Sequence, residues 1–128
     1  MNNERVEQCR SWFSRFVQEH SAGNEQDQRN IHVKEEHTTR VCANALRIAA
    51  GIGLDGDATA LAEAIALFHD VGRFPQYVRY RTFEDSRSVN HAVLGAKVLL
   101  ERNVLRDLPE RERSLIVRSV ALHNVFVL

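Results

Sequence analysis

Apolar side chains recur along this chain at steps of three and four, and no stretch alternates apolar with polar residues for long enough to require a strand. Val6, Cys9, Trp12, Phe13, Phe16 and Val17 share one face of an amphipathic helix over 6–17, which predicts a helix docked on the rest of the chain as a cover. The stretch 20–30 is polar, contains Gly23 and has no period, so it reads as a connection. A second helix is predicted over 31–50, with His37, Val41, Ala45 beside Leu46, and Ile48 on one stripe, and with Gly51 and Gly53 as its stop signal.

Asp55 or Asp57 can cap a third helix that carries Ala58, Leu61, Ala62, Ile65 and Phe68. Its mixture of small and large apolar groups suits burial on several sides and makes it the predicted central helix. It stops abruptly at His69-Asp70-Val71-Gly72, where Gly72 permits a turn. The segment 73–87 contains Pro75, the aromatics Phe74, Tyr77 and Tyr80, and many charges, and predicts an ordered loop with one short helical turn. Ser88 can cap a fourth helix with a close-packing face of Ala92, Gly95, Ala96, Val98 and Leu99, and with His91 in its first turn. Asp107-Leu108-Pro109-Glu110 starts a fifth, on which Ile116, Ser119, Val120 and His123 lie on one side. The fold class is therefore all-α, a helical bundle in one domain over 1–128, with a covering helix in 1–20 and the core in 31–124. Val125-Phe126-Val127-Leu128 is apolar and uncapped, which suggests a chain cut from a longer one, or an end that docks into the core or a partner.

Composition narrows the function. Seventeen basic and 17 acidic residues give zero formal net charge, so no long-range positive field favours duplex nucleic acid. The N-terminus has no apolar signal core, and no apolar run approaches the roughly 20 residues of a membrane span. Cys9 and Cys42 stand far apart with no CxxC partner, so neither a disulfide framework nor a zinc knuckle is suggested. Ordinary thiols and a cytoplasmic location are the expectation.

Six histidines are present. His20 and His32 sit in or beside the polar connection and read as surface residues. His37, His69, His91 and His123 all fall on predicted inward faces or helix ends, and Asp70 follows His69 directly. Each alone reads as a packed core or cap histidine. As a set, neutral imidazoles with a carboxylate suit a divalent metal, and mixed His/Asp ligation favours octahedral Mn, Fe, Co, Ni or Mg over structural zinc. Lys34 and Arg40 lie three residues either side of His37, and Arg73 follows Asp70 by three. Their charges favour an anionic substrate, with Lys34 and above all Arg73 the candidate phosphate contacts.

Lys34-Glu35-Glu36-His37-Thr38-Thr39-Arg40-Val41, Leu67-Phe68-His69-Asp70-Val71-Gly72-Arg73-Phe74, Ser88-Val89-Asn90-His91-Ala92-Val93-Leu94-Gly95 and Ala121-Leu122-His123-Asn124 resemble, in order, motifs of the HD-domain superfamily of metal-dependent phosphohydrolases. The resemblance covers 31–124. It implies that His37, His69 and Asp70 bind a first ion, that Asp70 bridges to a second, and that His91 and His123 complete the second site. It implies that Arg73 contacts substrate phosphate, and assigns catalysis to Asp70 and Arg73. One ligand of the family pattern, an aspartate on a later helix, does not occur after His123, and Asp107 precedes it. Truncation, or a homodimer or swap that completes the fold, is the expectation from that departure.

The expected activity is hydrolysis of a phosphate ester or anhydride of a small molecule, nucleotides included, using one or two divalent ions. Two rivals stand beside it. One is a degenerate module of the same kind that binds a nucleotide, second messenger or protein partner without catalysis. The other is a plain helical interaction domain with core histidines and an apolar C-terminal interface.

Overall fold

A computed structural model describes residues 1–125, and over them the chain is helical without strands. Six α-helices follow in order: α1 (Asn3–Glu19), α2 (Glu25–Gly51), α3 (Gly56–Phe68), α4 (Arg73–Tyr80), α5 (His91–Glu101) and α6 (Glu110–Leu122). A 3₁₀ turn, Asp85–Arg87, lies between α4 and α5. The all-α reading is what the structure shows. The expectation about the apolar end rests largely on Phe126, Val127 and Leu128, which lie outside the described residues; Val125 before them is exposed.

α3 is central: it packs against α1, α2 and α6. Its Asp55 cap accepts the Ala58 N–H. Its deepest positions are Ala60, Ala64, Leu67 and Phe68, while Leu61 and Ile65 pack at the margin of the core. α1 lays Val6, Cys9, Phe13, Phe16 and Val17 into the core, where Phe13 meets Phe74 edge-on and Trp12 meets Phe68 likewise. Arg10 of α1 reaches the buried Glu63 of α3 with two charge-assisted hydrogen bonds, 2.6 and 2.7 Å.

Three expectations are corrected by α2. It begins at Glu25, inside the segment read as a connection, because Asn24 caps it by accepting the Asp27 N–H. The buried residue of that first stretch is the polar Asp27, held by Tyr77 and Arg81, so a search for apolar period cannot see it. Further along, the buried line of α2 runs through Ile31, Thr38 and Ala49. Ile31 and Ala49 are five turns of 3.6 residues apart, which puts Ile48 one residue, about 100°, off that line. Ile48 is accordingly 63% exposed. His37 sits about 120° from Ile31 by the same count, on the flank of the buried line.

Segment 73–87 holds a full helix, α4, in place of a loop with one turn. Pro75 is tolerated because it lies in the first helical turn, where its missing N–H has no partner to lose. Phe74 and Tyr77 are buried on its inner side. Arg81, at φ 59°, closes it in the left-handed region with its N–H on the Tyr77 carbonyl. For α5 the cap is Asn90, not Ser88: Asn90 Oδ1 accepts from the N–H of Ala92 and Val93, whereas the Ser88 hydroxyl donates to the Glu84 carbonyl.

Gly72 is also corrected. Its backbone, φ −68° and ψ −17°, is ordinary right-handed helix that any residue adopts. What the position requires is the absence of a side chain. A Cβ there would meet the His91 carbonyl oxygen at 2.0 Å and the Gly95 nitrogen at 2.7 Å. The Gly72–Gly95 crossing is thus what lets α5 lie against the Asp70 turn.

Candidate metal centre

Five residues from four parts of the chain meet here. His37 projects from the flank of α2, and His69 and Asp70 follow the last residue of α3. His91 is the first residue of α5, and His123 follows the last of α6. Helix ends suit this purpose, because a ring at a terminus can turn across the axis and still be held by the last carbonyls. His69 Nδ1 donates to the Ala66 carbonyl at 2.5 Å and His123 Nδ1 to the Val120 carbonyl at 2.8 Å. His91 Nδ1 faces Asp85, 2.7 Å from Oδ2. These acceptors assign the Nδ1–H tautomer to all three rings and leave each Nε2 with a lone pair directed inward.

The Nε2 atoms converge on Asp70. His91 Nε2 and His123 Nε2 are each 3.2 Å from Oδ1 and 3.0 Å from one another. His37 Nε2 and His69 Nε2 lie 3.4 and 3.5 Å from Oδ2 and 3.4 Å apart. Two groups of ligand atoms result, His37–His69–Asp70 and Asp70–His91–His123, sharing one carboxylate.

Acceptors pointed at acceptors across about 3 Å repel unless something positive lies between them. A proton can serve: the hydrogen bond to Asp70 raises the pKa of His123, against burial, which lowers it. A divalent cation serves both groups better, since neutral imidazole and carboxylate are its ligands and the Nε2 atoms of His69, His91 and His123 are already oriented by a hydrogen bond behind each ring. The residues present therefore fit a metal. Burial pushes the Asp70 carboxyl up, but His123, His91 and His69 beside it overcome that and hold the group well below the usual carboxylate range. Burial lowers the pKa of His69, against the charge of Asp70, which raises it.

The basic residues divide. Arg73 is half-buried, and its Nη1 donates to the Phe83 carbonyl, Asp85 Oδ1 and Gln76 Oε1. Its Nε is buried and has no partner among the described residues. Lys34 places its ammonium 4.9 Å from the centroid of the Phe83 ring, and its pKa is lowered by burial and then by the charge of Arg73, against Asp70. Both therefore stand at the rim of the metal centre. Arg40 points to solvent on α2.

Two histidines lie elsewhere. His32 is exposed between Glu35 and Glu36, as a surface residue should be. His20, also expected at the surface, is mostly covered: its ring packs on Phe16 and its Nδ1 donates to the Phe16 carbonyl. Cys9 and Cys42 are free, and burial pushes both thiols up to about 11, which makes them poor nucleophiles.

Asp85 is the residue that sequence reasoning missed. It is one acid in the charged run Glu84-Asp85-Ser86-Arg87, and nothing in the spacing marks it out. Asn124, next to His123 in the chain, donates from Nδ2 to Asn90 Oδ1 at 3.1 Å and lies beside Asp85.

Among the described residues no helix is long and apolar enough to cross a membrane. Comparison with curated proteins and with solved structures gives no match. The family model for the HD domain matches residues 35–127, most of the chain and all five converging residues. The chain belongs to the HD domain family, whose members are generally metal-dependent phosphohydrolases.

Proposed function

We propose that this protein hydrolyses a phosphate ester or anhydride of a small molecule, with nucleotides the first class to test. The supporting observation is the pair of His/Asp groups sharing Asp70. His37, His69 and Asp70 would hold one divalent ion, and Asp70, His91 and His123 a second. When bound, such ions supply an activated water and neutralise charge on the phosphoryl oxygens. Three protein ligands per group leave positions for water and substrate.

The protein's own groups do the rest. Asp70, faced by four imidazoles, offers one oxygen to each side. Arg73 is anchored through Nη1, and that leaves the edge formed by Nε and Nη2, the side-on fork that meets two phosphate oxygens at once. A buried donor without a partner costs about 1–3 kcal/mol, which a phosphate oxygen relieves. Lys34 adds a second positive charge at the rim. Fixed cations of this kind stabilise the phosphoryl group most when its charge is greatest, in the transition state.

Replacing His69 and Asp70 together by alanine should abolish Mn²⁺ binding and turnover of a phosphate substrate panel in parallel. Full activity in that double variant overturns the proposal. One observation favours the rival, binding without turnover. Among the described residues no further aspartate joins the His37–His69–Asp70 group. Nucleotide binding that needs no divalent ion and leads to no product would establish that rival.

A further inference from the structure

The carboxylate of Asp85 lies between His91 of the metal centre and Arg73 at its rim. Oδ2 takes the His91 Nδ1–H at 2.7 Å and the His91 backbone N–H at 3.2 Å. Oδ1 takes Arg73 Nη1 at 2.9 Å and Gln76 Nε2 at 3.0 Å. Asn124 Nδ2 approaches Oδ2 at 3.4 Å from the end of α6. Gln76 is wholly buried and also donates to Ser88 Oγ, so the turn carrying Asp85 is tied to α4 on both sides. A residue on a three-residue 3₁₀ turn is thus gripped from α4, α5 and the end of α6. Every one of these neighbours is a donor.

We propose that Asp85 is a positioning residue that sets His91 for the second metal ion and Arg73 for the substrate phosphate through a single carboxylate. This rests on the metal-dependent reading above. The physical argument has two parts. A carboxylate on Nδ1–H fixes the tautomer and ring plane of His91 and makes Nε2 a stronger ligand, and such partners are typically worth 10–100-fold in metal affinity. Holding Nη1 of Arg73 on the same carboxylate turns its free edge away from Asp85. The anion-gripping cation and the metal-ligating ring therefore keep one relative placement. A neutral amide does not replace the carboxylate: an asparagine would face this ring of donors with one acceptor oxygen in place of two.

The test is Mn²⁺ titration of the full chain and of Asp85→Asn, with the ring nitrogens of His91 followed by NMR in the metal-free protein and inorganic phosphate affinity measured beside them. The wild type is expected to bind two ions. In Asp85→Asn the first ion binds as before, the second weakens about 10–100-fold, the His91 Nδ1–H tautomer gives way to a mixture, and phosphate binding weakens. Asp85→Glu keeps the charge and should recover the tautomer and part of the second-ion affinity; it is the variant to read if Asp85→Asn does not fold. Two wild-type ion affinities and an unchanged His91 tautomer in a folded variant overturn the role of Asp85 and leave the metal-dependent reading intact. A wild-type chain that binds no Mn²⁺ overturns both.

Discussion

Gly72→Ala is the most direct probe of how the fold builds the site. Alanine at this helical φ and ψ would by itself gain up to about 1 kcal/mol over glycine, through the smaller entropy of the unfolded chain. Against that stands the new Cβ, 2.0 Å from the His91 carbonyl oxygen and 2.7 Å from the Gly95 nitrogen. Both obstacles are backbone, so no side chain can swing aside. Reaching an ordinary contact of 3.4 Å needs α5 and the Asp70 turn to part by about 1.4 Å, an overpacking that costs about 1–3 kcal/mol. The closeness of the contact puts it at the upper end, leaving about 2 kcal/mol of net destabilisation and a melting temperature about 5–10 °C lower.

The same displacement acts on the site. His91 is the residue whose carbonyl is struck, and its Nε2 stands 3.2 Å from Asp70 Oδ1. Pushing α5 outward opens the Asp70–His91–His123 group while leaving His37 and His69 in place, so Mn²⁺ titration should lose the second ion before the first. Thermal unfolding followed by circular dichroism gives the stability, and Gly51→Ala is the control, since a Cβ there meets nothing within 4 Å. A Gly72→Ala protein that melts at or above the wild type with unchanged Mn²⁺ binding would refute the close-crossing argument.

Other expectations follow from the same geometry. Mn²⁺ at about 100 times its dissociation constant should stabilise the chain by about 2.7 kcal/mol, reversed by chelator; no shift in melting counts against the metal centre. Arg73→Lys keeps the charge but loses the fork, so KM for a phosphate substrate should rise about 10–100-fold, with metal stoichiometry unchanged; an unaltered KM removes Arg73 from the phosphate site. Arg10→Ala leaves the buried Glu63 carboxylate unpaired; with Arg10 itself half-exposed, a loss of about 1–3 kcal/mol in denaturant unfolding is expected, and a loss below about 0.5 contradicts the pairing argument. Arg81 beside Asp27, with help from Tyr77 and against burial, holds that carboxyl below its usual range. A depressed carboxyl stabilises the fold above its unfolded pKa of about 4 and loses that contribution as pH falls further. Asp27→Asn should therefore flatten the acid side of the melting profile, and an unchanged slope there would remove Asp27 from the acid response.

What the sequence displays and what it hides differ in physical kind. His69, Asp70, His91 and His123 are legible because each sits where an apolar period of three and four begins or ends, so chain order alone brings them into view. For His37 the apolar pattern points to the buried stripe, whereas the helical count from Ile31 to Ala49 puts it on the flank, where it can reach Asp70. The start of α2 was hidden because its one buried side chain, Asp27, is polar and is held by side-chain partners on α4 and just beyond it. Gly72 in sequence suggests freedom for a turn, whereas the structure uses its lack of a side chain to bring another backbone close.

Asp85 shows why such residues escape a reading along the chain. In sequence it is an acid in a charged run; only the fold surrounds it with donors from α4, α5 and the end of α6. Its importance is a property of those neighbours, because a half-exposed carboxylate with one donor would contribute little, whereas one that several fixed donors share becomes a geometric reference for each of them. The His/Asp pattern names the atoms that can hold a cation. Whether the ring of His91 presents Nε2 to that cation or a proton is decided by a group six residues earlier that no motif includes.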